Sequence, residues 1–159
     1  MASKGKLDEV DRRILRDLQA DGRITNVELA KRIGISAPPC LRRVRALEEK
    51  DIIRGYHADI QAEALGYTVM VFAFVGLLSQ AESDLQQFEK LVAEWPEVRE
   101  CHMLVGETDF LLKIVAHDWD DFQHFLTSKL TSAPNVSHVK TALAIRSSKD
   151  EPGVPIDDI

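Results

Sequence analysis

The chain has 159 residues, about 45% of them hydrophobic, and a net charge of −6. That length suits one ordinary domain or two small ones. No apolar run approaches the ~18 residues of a membrane span, and the opening "MASKGKLDEVD" carries no apolar signal region, so a cytoplasmic protein without a membrane role is expected. The two cysteines, Cys40 and Cys101, have no paired spacing and read as reduced thiols rather than a disulfide or metal framework. Charge is unevenly spread. Residues 1–60 carry thirteen Lys/Arg against ten Asp/Glu, and residues 61–159 seven against sixteen, giving +3 and −9. A mildly basic front and an acidic back suggest two modules with different partners.

Asp8 opens a helical pattern, with Leu7, Val10, Ile14, Leu15 and Leu18 on one side. Gly22 in "ADGR" is the expected stop. "TNVE" at 25–28 has the spacing of a capping box between Thr25 and Glu28. Val27, Leu29, Ala30 and Ile33 supply a short apolar face, and Gly34 ends that helix.

Ser36 is the natural N-cap of a third helix. Pro38 and Pro39 are tolerable in a first turn, whose amides have no intrahelical partner, although each proline pushes its predecessor out of helical angles and leaves Pro39 as an alternative start. At 100° per residue Cys40, Leu41, Val44 and Leu47 form the inner seam. Arg42 points away from it, flanked by Arg43 and Arg45. Two helices joined through "GIS" have helix-turn-helix spacing. The second such helix lies in the major groove with its N-terminal residues at the base edges. Ser36, Pro38 and Pro39 then give a low-bulk tip, Arg42 can donate two hydrogen bonds to guanine, and Arg43 and Arg45 suit phosphates. The bland alternative is an ordinary helix with arginines on its wet face. "DIIRGYHADI" at 51–60 reads as a wing strand, offering Arg54 or His57 to a phosphate.

After "QAEALG" at 61–66, a candidate linker, "YTVMVFAFVGLL" reads as a strand covered on both faces. "ESDLQQFEKLVAEW" is a helix closed by Pro96. "EVRECHMLVG" and "DFLLKIVA" are strands joined through "GETD". "DWDDFQHFLTSKL" is a helix, and "VSHVKTALAIRS" a last strand with Val139, Thr141, Leu143 and Ile145 on one side. The order βαββαβ is the ferredoxin-like split unit. Its helices cover one sheet face, so a second copy of the chain is the expected cover for the other. Gly106, Glu107, Thr108 and Asp109 can offer free amides together with a carboxylate, which suits a zwitterion. A plain hairpin turn with Asp as turn former is the alternative.

The blocks "LDEVDRRILRDLQADGRITNVELAKRIGIS", "CLRRVRALEEKDIIRGYHADI" and "ECHMLVGETDFLLKIVAHD" resemble, in order, the signatures of the Lrp/AsnC family of feast/famine regulators, over residues 7–148. The resemblance implies an α+β chain: an N-terminal winged helix-turn-helix domain (1–60), a linker (61–66), a ferredoxin-like βαββαβ domain for effector binding and oligomerisation (67–148) and a tail (149–159). It implies homodimers assembling to octamers, double-stranded DNA as a partner, and an amino-acid effector bound between subunits, with no cofactor. By position, Ser36, Pro38, Pro39, Arg42, Arg43, Arg45 and Arg54 become DNA-binding, and Gly106, Glu107, Thr108 and Asp109 the effector loop, with Thr141 facing the same pocket. Asp51 and Asn135 stand where the family often has glycine; both residue types tolerate left-handed angles. The middle of "GETD" is atypical for the family and leaves the effector's identity open.

The five histidines have no zinc spacing. Cys101 and His102, as strand neighbours, point to opposite faces, so a nucleophile–base pair is not expected. Three functions are weighed: an effector-responsive, sequence-specific transcription regulator, which is favoured; an architectural DNA-binding protein without effector; and a small metabolic enzyme of ferredoxin-like fold.

Overall fold

A computed structural model describes residues 7–156. The chain divides into two compact units: residues 1–59 together with 149–159, and residues 60–148. The second is therefore inserted in sequence between two parts of the first.

The first unit holds α1 (Glu9–Ala20), α2 (Asn26–Ile33) and α3 (Ala37–Glu49). Ile14, Leu29, Ala30, Ile33, Cys40 and Leu47 form its core. Each fully buried aliphatic side chain contributes about 1.5–3 kcal/mol relative to exposure, which outweighs any single cap. The capping box sits at α1, where Asp8 accepts from the Asp11 amide at 2.8 Å and Asp11 from the Asp8 amide at 3.4 Å. At α2 only half the expected box forms. Thr25 accepts from the Glu28 amide at 3.2 Å, but the Glu28 carboxylate lies 3.5 Å from Arg32 Nε, one turn on. Gly34 adopts φ 81° and donates to Ala30 and Lys31, while Ile35 donates to Ala30, a Schellman stop. Gly22 is not the stop of α1; Asp21, extended, ends it.

α3 starts at Ala37 rather than Pro39, with Ser36 as a backbone N-cap whose hydroxyl makes no capping bond. Leu41 is 37% exposed and Val27 69% exposed, so both leave the apolar faces assigned to them. A 100° spacing gives angle but not depth: Val27 is the second residue of the eight-residue α2, and Leu41 lies beside the buried Cys40 on α3 without reaching the core. Residues 54–61 carry no helix or strand pairing, so the wing segment runs irregularly in the single chain.

The second unit contains β1 (Val69–Leu77), α4 (Glu82–Ala93), β2 (Val98–Met103), β3 (Phe110–Ala116), α5 (Trp119–Phe125) and β4 (Val136–Leu143). The sheet order is β2-β3-β1-β4, all antiparallel, the ferredoxin-like arrangement. Val71, Ala73, Val75, Phe110, Leu112 and Ile114 alternate onto one face, where Phe88, Val92, Phe122, Phe125 and Leu130 of the helical layer complete the core. Within one chain β1 is covered on one face, and Met70, Phe72 and Phe74 are half-buried on the other, beside Leu111 and Val115.

α5 widens into a π turn over Leu126–Leu130, with the Thr131 amide donating to Leu126 at 2.9 Å. The hydroxyls of Thr127, Ser128, Thr131 and Ser132 all bond back to carbonyls of this stretch, which competes with the regular ladder. Asp51 (φ 55°) and Asn135 (φ 67°) adopt the left-handed backbone that Asp and Asn tolerate. Asn135 adds a reciprocal pair with Ser79, accepting from its amide and donating to its carbonyl, both at 2.9 Å.

Candidate nucleic-acid interface and effector loop

α3 owes its two-sidedness to its sequence. Cys40 is fully buried and Leu47 nearly so, while Arg42 and Arg45 are exposed on the outer surface. At the tip Ser36 and Pro38 are exposed and Pro39 is half-buried. Arg54 is exposed beyond the helix. Among the described residues Arg42, Arg45 and Arg54 have no ion pair, so their guanidinium groups remain available. Asn26 Nδ2 donates to the Ala37 carbonyl at 2.9 Å and ties the start of α2 to the start of α3. Sequence reasoning missed this residue, since a lone Asn after an N-cap carries no distinguishing signal.

Arg43 behaves differently from its neighbours. Its Nη1 lies 2.7 Å from Asp8 Oδ2 and 2.7 Å from Asp11 Oδ1, the two acids that cap α1. Those bonds raise the Arg43 pKa. The Asp8 carboxyl is held below its usual range, first by the Asp11 amide and then by Arg43. Arg43 thus clamps α3 to α1 rather than lying free for a phosphate, a partnership 32 and 35 residues long that no local pattern reveals.

The loop between β2 and β3 is built from strand ends. Leu104 donates to the Asp109 carbonyl at 2.8 Å, and Asp109 donates to the Val75 carbonyl at 2.9 Å. The Asp109 carboxylate accepts from the Leu77 amide at 2.7 Å through Oδ2, where β1 passes its bulge at Gly76/Leu77. One oxygen of this carboxylate is therefore structural. Among the described residues the amides of Val105, Gly106, Glu107 and Thr108 find no acceptor. Gly106 and Glu107 are exposed, Thr108 is half-buried, and a Cβ built at Gly106 would meet nothing within 4 Å. The four amides can offer a small, open group of donors to an anion.

Thr141 is not brought to this loop within one chain. It pairs with Ala73, four residues along β1 from Leu77, which is about 13 Å at strand spacing. Cys101 and His102 lie opposite Leu112 and Leu111 respectively, on the two faces of the sheet. Burial, with a contribution from Glu89, pushes the Cys101 thiol up to about 11. A thiol so placed stays protonated near neutrality and makes a poor nucleophile. Among the described residues no three His, Cys, Asp or Glu gather as metal ligands, and no helix is long and apolar enough to cross a membrane.

Comparison with known proteins matches both units. Residues 7–54 fit the family described as winged helix-turn-helix DNA-binding, and residues 70–154 the Lrp/AsnC ligand binding domain. The leucine-responsive regulatory protein of Rhizobium meliloti is 54% identical over 150 residues, covering 94% of this chain and 96% of its own. The Bkd operon transcriptional regulator of Pseudomonas aeruginosa is 40% identical, covering 89% and 93%. Among solved structures, a Neisseria meningitidis transcriptional regulator in complex with L-Met superposes with a TM-score of 0.89 at 36% identity, covering 94% of this chain and 97% of its own. With its helix-turn-helix, its ferredoxin-like unit and relatives of this identity over nearly its full length, the chain belongs to the Lrp/AsnC family of DNA-binding transcriptional regulators and is not an enzyme.

Proposed function

We propose that α3 enters the major groove of double-stranded DNA with Arg42 at a base edge, Arg45 and Arg54 on phosphates, and Ser36, Pro38 and Pro39 permitting close approach. The observation that carries this reading is the exposed, unpaired Arg42 directly opposite the buried Cys40–Leu47 seam. Arg43 fixes the aim of the helix instead of contacting the duplex. Arg42→Ala should cost about 1–3 kcal/mol on a specific operator and relax selectivity at one base pair. Equal loss on specific and random duplex would overturn base reading. With about six phosphates met by a dimer, log K against log salt should fall with a slope near −5.

The same reading gives the effector as an amino acid. Its carboxylate meets the amides of residues 105–108, and its ammonium meets the Asp109 oxygen left over from Leu77. Glu107 and Thr108 border the site, and Thr141 reaches it from a second copy. The likeness to a regulator holding L-Met and to one named leucine-responsive favours an apolar side chain on the effector. The second copy covers the Met70, Phe72, Phe74, Leu111 and Val115 face, giving a homodimer that assembles further to an octamer in the cytoplasm. A thermal-shift screen of the twenty amino acids tests the pocket; a ligand at about 100 times its Kd should add roughly 2.7 kcal/mol.

A further inference from the structure

The last residues of the chain return to the first unit and dock on α1. Gln19 on α1 makes a reciprocal pair with the backbone of Val154: its Nε2 donates to the Val154 carbonyl at 2.8 Å, and its Oε1 accepts from the Val154 amide at 3.2 Å. One turn earlier, Arg16 Nη2 donates to the Ile156 carbonyl at 3.1 Å, and Ile156 is half-buried. Gly153 makes the approach feasible on two counts. Its φ is +73°, which side chains with a Cβ rarely adopt, and a Cβ there would fall 2.0 Å from Gln19 Oε1. Pro152 and Pro155 flank the contact and fix their own φ, so the tail has little freedom to lose on docking. A carboxamide has one donor and one acceptor end, so this pairing is specific to Gln at this reach: Glu lacks the donor and Asn one methylene.

We propose that the Arg16–Gln19 surface of α1 is a docking site for this chain's own C-terminal tail, and that the docked tail is a second tether through which effector binding alters DNA affinity. The proposal rests on the function proposed above. Its structural ground is connectivity. The effector-binding unit is joined to the DNA-binding unit at its front between Asp59 and Ile60, and at its back β4 leads through residues 144–148 into the tail held on α1. A change felt by β4 is then transmitted along covalent chain to the helix that carries the Asp8–Asp11 clamp on α3.

The experiment uses the full chain and two variants, Gln19→Ala and Gly153→Val, each checked for unchanged helical circular dichroism. Amide exchange at Val154 should be at least about tenfold slower in the wild type than in either variant. Equally fast exchange in all three overturns the docking. Operator affinity is then measured with and without L-leucine and L-methionine. The wild type should show a ligand-induced change of about fivefold or more, and both variants a change under about twofold with ligand-free affinity kept. An undiminished change in the variants overturns the tether. If the wild type itself ignores DNA or both amino acids, the function proposed above fails instead, and the exchange measurement still decides the docking.

Discussion

Arg43 reaches from α3 to Asp11 on α1, its Nη1 2.7 Å from Asp11 Oδ1, and so braces one helix against the other. Arg43→Ala should weaken specific binding while leaving the salt slope as it was, because no phosphate contact is lost; removal of a true phosphate contact would shift the slope by about 0.9. A double-mutant cycle of Arg43→Ala with Asp11→Ala, read by urea unfolding, should give a coupling of about 0.5–1 kcal/mol, since the guanidinium is 36% exposed and solvent screens the pair.

Acid should release this brace. Asp8 is depressed in the folded chain, so its stabilising contribution is complete above the ordinary carboxylate value near ~3.9 and disappears as pH falls through the lower folded value. Asn at the same position keeps the cap and loses the ion pair. The difference in urea midpoint between wild type and Asp8→Asn should be constant from about pH 7 to 5 and close below about pH 4. A difference that persists unchanged in acid would mean the charge of Asp8 is not what Arg43 holds.

Asp109 separates two roles that a single substitution blurs. Asn retains an oxygen to accept from Leu77, whereas Ala removes a charge-assisted bond worth about 1.5–3 kcal/mol. Asp109→Asn should therefore unfold near the wild-type temperature and lose the thermal shift given by an amino-acid effector. Asp109→Ala should be destabilised with or without ligand. An Asn variant that still responds fully would remove the carboxylate from effector binding.

Two left-handed residues give a matched contrast. Asp51 and Asn135 share nearly the same φ, but only Asn135 spends its side chain on a partner, Ser79. Asp51→Gly relieves a backbone cost of about 1–2 kcal/mol against an entropy loss of about 0.5–1 kcal/mol, so it should be neutral or slightly stabilising. Asn135→Gly loses two hydrogen bonds of about 0.5–1.5 kcal/mol each and should lower the melting temperature. Calorimetry of both variants decides the ordering.

The architecture was legible because it rests on periodicity and on stops that only certain residues can make. The apolar run of β1, the periodic faces of the helices and the left-handed stop at Gly34 are local properties, whereas Asp51 and Asn135 stood out only against the glycines of the family resembled. What escaped was depth and distance. Val27 and Leu41 have the right angular spacing but remain exposed. The Arg43 clamp and the Gln19–Val154 pair join residues 32 to 135 apart, and nothing in the side chains themselves names the partner. The capping box of α1 escaped for a milder reason, because Asp at its third helical position is a rarer choice than Glu.

Pro38 and Pro39 occupy the first turn of α3. Their rings hold the leading edge of that helix in its final shape before any duplex is met. On the proposed docking, recognition at this edge freezes very little backbone, and discrimination between operators falls to the arginine head groups and to the stiffness of the DNA they grip.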